Sequence, residues 1–225
     1  MTKTLTLTPI GGAGGVTGAN FLLEGEPGRF LIDCGLLQGK KFAEQENAKP
    51  FPYDPGSINA LVVTHAHLDH IGRIPKLVRG GFAGTIYSTL PTKDIVPLMF
   101  ADALSVMRQE AEEGEALLYE EKDIERTLSL WKGFAYGESV DLGGGLSIRF
   151  KDAGHILGSA MAEFTYGNGK FLATGDLGNS PSLLLPDTDS PEGSTYLLME
   201  SVYGDRNHES KEERDRQFKS ALEAT

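Results

Sequence analysis

The sequence predicts an α/β chain in which layers of β-sheet are flanked by helices. Three observations lead there. Short apolar runs, alternating or continuous and bounded by turn residues, outnumber helical runs. Helical runs interrupt this β pattern in only a few places, so they cover sheets rather than build a bundle. No regular strand–helix alternation runs along the chain, which argues against a doubly wound sheet.

Taken in order, "KTLTLTPI" alternates as a strand should, and "GGAGGVTGAN" follows as a tight turn before the strand "FLLEG". The turn "EPGR" leads into "FLIDCG", a further strand. "INALVVTHAH" reads as a buried strand entering a loop, and "IGRIPKLVRGG" as a short helix that starts near Ile71 and stops at glycines. "GTIYST" is strand, and residues 92 to 131 are mostly helical with a break near Gly114. "LSIRFKDAGH", "MAEFTY", "KFLATGD" and "TYLLMES" are four more strand runs, and the tail from Ser210 opens a serine-capped polar helix.

The net charge of −11 is unlike a dedicated duplex-DNA module. Bound divalent ions or a local basic groove can offset such a balance. Acid is concentrated in "RQEAEEGEALLYEEKDIE", a solvated helical face by its pattern. No apolar run is long enough to span a bilayer, and the first residues carry no secretion pattern. The single cysteine, Cys34, forms no internal disulfide and reads as a small core residue. A cytoplasmic protein is the expectation.

Chemistry gathers at strand ends. "FLIDCG" delivers Asp33, "ALVVT" delivers His65, His67, Asp69 and His70, "LSIRFKDAGH" delivers His155, "KFLATGD" delivers Asp176 and "TYLLMES" delivers Glu200. Three of the five histidines of the chain stand in "THAHLDHIG". Residues two apart on extended backbone face one side, so His65 and His67 can reach one ion, while Asp69 and His70 aim at a second. Imidazole nitrogen and carboxylate oxygen suit zinc, and two ions roughly 3.5–4 Å apart are a recurring hydrolytic device.

These stretches resemble a known family. "THAHLDHIG" looks like the signature of the metallo-β-lactamase fold, and "FLIDCG", "DAGHILGSA" and "TGDLGN" resemble its other motifs in the correct order. "ESVYGDRNH" resembles the first motif of the β-CASP branch, whose members process RNA or DNA, and "GGAGGVTGANFLLEG" and "IDCGLLQG" resemble its RNA-processing group. The resemblance implies an αββα sandwich with His65, His67 and His155 on one Zn2+, Asp69 and His70 on a second, and Asp176 bridging. It implies that Asp33 orients ligands or the bridging water, and that Glu200 stands at the insertion junction and helps fix a histidine from later in the chain. A further metal-binding histidine and the later phosphate-facing histidines of the family have no counterpart here. The expectation is therefore an N-terminal portion of a longer protein, with residues 1 to 203 forming part of the lactamase domain and 204 to 225 opening the β-CASP insertion. The sheet that later strands would cover should present apolar surface and open strand edges.

Plainer readings stand beside the sharp ones. The glycines of residues 11 to 18 lack a following "GK[ST]", so a phosphate cradle is disfavoured against a turn that lines the cleft. His208 is either a surface histidine or a phosphate contact, and Arg206 either meets phosphate or is solvated. Trp131, Phe134 and Tyr136 read as core caps rather than base-stacking platforms.

The chemistry that follows is metal-assisted hydrolysis of a phosphodiester, with Asp69 accepting or orienting the proton of the attacking water. The substrate implied is single-stranded RNA, with DNA as a further option and a homodimer as a possible assembly. The rivals are a lactamase-fold hydrolase of thioesters or lactams, a flavo-diiron protein, and a non-catalytic scaffold subunit of an RNA-processing complex. The "ESVYGDRNH" motif opposes the first. His67, where flavo-diiron proteins usually carry glutamate, opposes the second. The intact cluster opposes the third.

Overall fold

In the computed structural model, residues 4–39, 43–111, 116–191, 193–207 and 209–224 are described. Two sheets stack face to face. The first holds β1 (Leu5–Gly11), β2 (Asn20–Gly25), β3 (Gly28–Ile32), β4 (Ala60–Val62), β5 (Thr85–Thr89) and β6 (Trp131–Phe134), in that spatial order. Its first three strands run antiparallel, and β3 to β6 run parallel. The second holds β7 (Ser139–Gly143), β8 (Leu146–Asp152), β9 (Ala160–Tyr166), β10 (Gly169–Ala173) and β11 (Tyr196–Leu198) in the order β11-β10-β9-β8-β7. Only the β10–β11 pair in it is parallel.

Six α-helices and one 3-10 turn (Pro55–Ser57) complete the described residues: α1 (Ala43–Ala48), α2 (Leu68–Ile71), α3 (Ile74–Arg79), α4 (Leu90–Glu110), α5 (Glu121–Ser129) and α6 (Lys211–Glu223). None of the helices is long and apolar enough to cross a membrane.

The continuous apolar runs of β3 and β4 follow from burial on both faces. Phe30, Ile32 and Val62 point into the space between the sheets, where they meet Ile148, Phe150 and Phe164. Leu31, Leu61 and Val63 point the other way, onto Ile71, Ile74 and Leu77 of the short helices. A strand with one solvated face would have alternated apolar with polar residues.

Several elements depart from the sequence reading, each for a local reason. The helix after the histidine cluster begins at Leu68 rather than near Ile71, which puts Asp69 and His70 on its first turn. The end of the stretch read as helix is β6, a four-residue edge strand with Trp131 buried and Lys132 exposed, too short to show a period. β7 was not visible as a strand because "SVDLG" exposes most of its residues. Local βαβ units do occur, but only across β3 to β6, so no period runs through the chain. The glycine stretch is an eight-residue loop between β1 and β2 rather than a tight turn. The expected break near Gly114 falls among residues 112–115, outside the described residues. The acidic run is not all solvated, because Asp123 is buried and its carboxylate accepts from Glu120 N at 2.9 Å in a capping box that starts α5.

The strand ends converge by topology. β8 and β10 both run antiparallel to β9, and β11 runs parallel to β10, so their C-terminal ends lie at one edge of the second sheet. β3 and β4 are parallel and end together. The two edges are joined where Ala160 N donates to Thr64 O at 2.8 Å. Away from this end, an apolar cleft opens between β1 and the β10–β11 pair, lined by Leu5, Leu7, Phe164 and Phe171. Tyr196 beside it is 71% exposed.

The intersheet core can be probed at Phe150, which is 0% exposed. Phe150→Ala is expected to lower unfolding free energy by about 3–5 kcal/mol through lost transfer energy and a residual cavity. Urea denaturation followed by tryptophan fluorescence measures it, and a loss below 1 kcal/mol would show a core that collapses around the gap.

Candidate metal centre

The extended backbone of residues 64 to 67 sends Ala66 into the core and turns His65 and His67 toward the cleft. His65 Nε2 lies 3.0 Å from His67 Nδ1, which lies 3.2 Å from His155 Nε2. Asp176 Oδ2 lies 3.7 Å from both His65 Nε2 and His155 Nε2. A tetrahedral zinc with bonds of about 2.0–2.1 Å places neighbouring donors about 3.4 Å apart. The four atoms thus sit near the corners of such a site. A second group adjoins it, with His70 Nε2 3.2 Å from Asp176 Oδ1 and 3.9 Å from Asp69 Oδ2. Asp176 offers Oδ2 to the first group and Oδ1 to the second.

Asp33 is the hub beneath both groups. Its Oδ1 accepts from Thr64 N and its Oδ2 from Thr64 Oγ1, both at 2.8 Å. Oδ2 also accepts from His70 Nδ1 at 2.8 Å. The Thr64 hydroxyl has one proton, and Asp33 takes it. Thr64 Oγ1 is therefore the acceptor for His65 Nδ1 at 3.1 Å. His65 then carries its proton on Nδ1 and presents a bare Nε2 to the centre, and His70 Nδ1 likewise donates, which leaves its Nε2 directed at Asp176.

Electrostatics agree with the donor set. Burial, reinforced by the neighbouring imidazoles His70, His67 and His155, holds His65 well below the ordinary histidine range. Burial and then His155 also lower His67, against the pull of Asp69 and Asp176. His70 behaves oppositely: burial opposes its charge, but Asp33 and Asp176 outweigh that and push it up to about 10. Burial likewise opposes the Asp176 carboxylate, and the His70 hydrogen bond and charge win, lowering it. A proton on His70 Nε2 occupies the place a cation would take, so loading the site releases that proton. Four converging imidazole nitrogens with two carboxylates are a donor set that fits divalent metal ions.

A family model described as the metallo-beta-lactamase superfamily matches residues 13–217. This chain belongs to that superfamily. It is 40% identical over 222 residues to ribonuclease TTHA0252 of Thermus thermophilus, covering 98% of this chain and 49% of that protein. It is 35% identical over 209 residues to the transcription termination factor FttA of Methanosarcina mazei, covering 89% of this chain and 32% of that one. The chain thus spans about half the length of the first relative and about a third of the second. Among solved structures, a protein of unknown function from Enterococcus faecalis V583 aligns with a TM-score of 0.50 at 18% identity, over 78% of this chain and 44% of that one, a likeness of fold alone.

Of the residues singled out from sequence, the structure gathers His65, His67, Asp69, His70, His155 and Asp176 into this metallo-β-lactamase cluster, with Asp33 beneath it. Glu200 lies two residues past β11, and its Oε1 accepts from Leu177 N at 2.8 Å. It pins the segment that carries Asp176. Arg206 is exposed, its guanidinium 5.0 Å from the Tyr203 ring centroid and 3.8 Å from Asp205. His208 lies outside the described residues. Cys34 is fully buried, and burial pushes its thiol up to about 11. Trp131 is a core residue whose Nε1 donates to Ser88 Oγ at 2.8 Å, and Tyr136 ties down the His155 loop by donating to Ser159 O at 2.9 Å.

Sequence reading missed the residues that let the loops approach. A Cβ on Gly35 would lie 1.5 Å from Asp69 O, and one on Gly178 would lie 1.8 Å from Gly154 O. Only glycine allows the Asp33 turn to abut α2 and the Asp176 segment to abut the His155 loop. Ser159 Oγ accepts from His155 N at 3.0 Å, and Thr89 and Thr92 hydroxyls both donate to Gly158 O. The glycines and Ser159 were inside the motifs, but a contact between loops leaves no mark on local spacing.

Two measurements check this geometry. Gly35→Ala should force Asp69 and His70 from position, lowering stability by about 1–3 kcal/mol or more through overpacking and weakening metal uptake seen by isothermal titration. Unchanged uptake would contradict the close approach. The raised His70 value sets a pH dependence of the metal-free protein. Its stabilisation is fully present below about 6.5, the unfolded histidine value, and is lost as pH climbs through about 10. Urea midpoints in EDTA should fall across that window, and a metal-loaded sample should lack this fall.

Proposed function

We propose that this chain supplies the metal-binding and water-activating part of a ribonuclease that acts in RNA processing or decay. The observation that carries the reading is the convergence of His65, His67, His155 and Asp176, with Asp69 and His70 alongside, in a chain 40% identical to a protein named as a ribonuclease. Zinc is the proposed metal, on the strength of the imidazole-rich donors and near-tetrahedral spacing. Two ions are proposed because Asp176 offers separate oxygens to two groups. Single-stranded RNA is the proposed substrate, with cytoplasmic location supported by one buried, unpaired cysteine. Residues 204 to 225 are proposed to open a β-CASP insertion, a reading supported by the "ESVYGDRNH" resemblance.

Bound ions of this kind lower the pKa of water toward neutrality and offset charge on phosphoryl oxygens. The residues of the chain arrange the rest. Asp33 keeps His65 and His70 in the ligating tautomer through Thr64 and directly. The Asp69 side chain is 17% exposed, which leaves it open to solvent to accept or orient a water proton. Glu200 holds the Asp176 segment through Leu177 N. Arg206 offers an exposed guanidinium for phosphate, and His208 is proposed for the same role from its place in the motif.

Cleavage of end-labelled single-stranded RNA by the full-length protein tests the reading, with EDTA as control. Asp69→Ala should reduce the rate by about 10²–10⁴-fold. Glu200→Ala should impair cleavage and weaken metal uptake together, because Leu177 N beside Asp176 loses its acceptor, and residues 1–225 alone should be nearly inactive. Hydrolysis of a thioester or lactam with RNA and DNA left intact would replace the nuclease reading. Failure to retain any metal after reconstitution would leave a scaffold subunit.

A further inference from the structure

Asp33 has φ of 57° and is the one non-glycine residue among the described residues with positive φ. That left-handed conformation is costly for a residue with a Cβ and persists only where neighbours hold it. Backbone partners hold part of it: Asp33 N donates to Val62 O at 2.9 Å, and Cys34 N to His70 O at 2.8 Å. The Asp33 carbonyl is held by a side chain, Asn20 Nδ2, which donates to it at 2.7 Å.

An amide can present either end. Tyr53 decides which, because its hydroxyl donates to Asn20 Oδ1 at 2.9 Å and leaves the NH2 for Asp33. Asn20 is 0% exposed and Tyr53 8%. A flipped amide would face carbonyl oxygen against carbonyl oxygen at a fully buried position. Burial raises the Tyr53 phenol far above its ordinary range, so it remains a donor. Its ring stacks on Phe51 with centroids 5.3 Å apart, and the charged groups of Arg73 and Lys76 lie 5.4 and 4.9 Å from the Phe51 centroid. A connected path therefore runs from Phe51 through Tyr53 and Asn20 to Asp33 and on to His70.

We propose that Asn20 and Tyr53 are positioning residues of the metal centre: the buried amide, oriented by the tyrosine hydroxyl, holds Asp33 in the left-handed conformation that aims its carboxylate at Thr64 and His70. Relaxation of that peptide toward the β region would swing the Cα–Cβ bond and draw both carboxylate oxygens off their partners. Neither residue touches the cluster, so the effect passes entirely through Asp33. The proposal rests on the reading of the cluster as a metal centre, and its consequence falls on the Asp69–His70–Asp176 group, whose imidazole Asp33 contacts directly.

The experiment uses Tyr53→Phe, which keeps the ring and its stack, together with Asn20→Ala and the double variant. Co2+ titration followed by visible absorption should show the second ion bound about 10–100-fold more weakly in each single variant, the first weakened by a smaller factor because Asp33 reaches His65 only through Thr64, and melting of the metal-free protein lowered in Tyr53→Phe only by the few degrees that one lost buried hydrogen bond costs. The double variant should bind no more weakly than Asn20→Ala, because the two act in series. In metal-free protein, the His70 Nδ1 proton resonance, shifted downfield by Asp33, should move in Tyr53→Phe. Equal weakening of both ions in proportion to lost melting temperature, additive effects, or an unmoved His70 resonance would overturn the proposal. Should the wild type bind no Co2+, the metal reading fails on its own, and the His70 resonance still decides whether Asn20 and Tyr53 position Asp33.

Discussion

The Asp33 carboxylate is the constraint on which the rest of the centre depends. Three hydrogen bonds at 2.8 Å fill its two oxygens, from Thr64 N, Thr64 Oγ1 and His70 Nδ1. The Thr64 contacts lock the end of β4 against the end of β3, and the His70 contact fixes α2. A charged acceptor buried this deeply needs partners, and the partners it finds are the residues that orient the imidazoles. One interaction thus satisfies a folding requirement and a chemical one together. The strained backbone of Asp33 is the structural cost of turning the chain so that its carboxylate reaches all three donors.

Around that hub the fold works as two walls. The first sheet brings Asp33 and the "THAHLDH" segment, and the second brings His155, Asp176 and Glu200. The walls are set by apolar packing of Phe30, Ile32 and Val62 against Ile148, Phe150 and Phe164. Hydrogen bonds between the ends finish the alignment: Ala160 N to Thr64 O across the sheets, Gly178 N to Ala153 O between loops, and Leu177 N to Glu200. Core packing defines where the strand ends lie to within a strand spacing, and the loop bonds place the donor atoms to a fraction of that. A site built on strand ends with short, pinned loops is held in place by the scaffold itself.

Electrostatics complete the picture. A chain with net charge −11 has no general attraction for a polyanion. Within the cluster, His65 is held neutral by burial while His70 is held protonated by Asp33 and Asp176. The two imidazoles thus differ because only His70 has carboxylates close to both of its ring nitrogens.

The sequence by itself determined the layering and the candidate donors. Histidines two apart on extended backbone, followed at once by Asp69 and His70, stand out as candidate ligands because backbone period alone sets which way neighbouring side chains face. The strands of "FLIDCG" and "ALVVT" were legible because burial on both faces leaves nothing but apolar residues. β6, β7 and the burial of Asp123 were not legible, since a short edge strand and a buried cap carry no period. Only the tertiary structure decided that Asp176 gives one oxygen to each metal group, that Thr64 passes the hold of Asp33 to His65, and that Asn20, 13 residues from Asp33 in sequence, grips its carbonyl. Gly35 and Gly178 likewise acquire their meaning only when two loops meet. The physical reason is the same throughout: local pattern reports on which face a residue takes, whereas hydrogen-bond partners and close approaches between distant segments exist only once packing has brought those segments together.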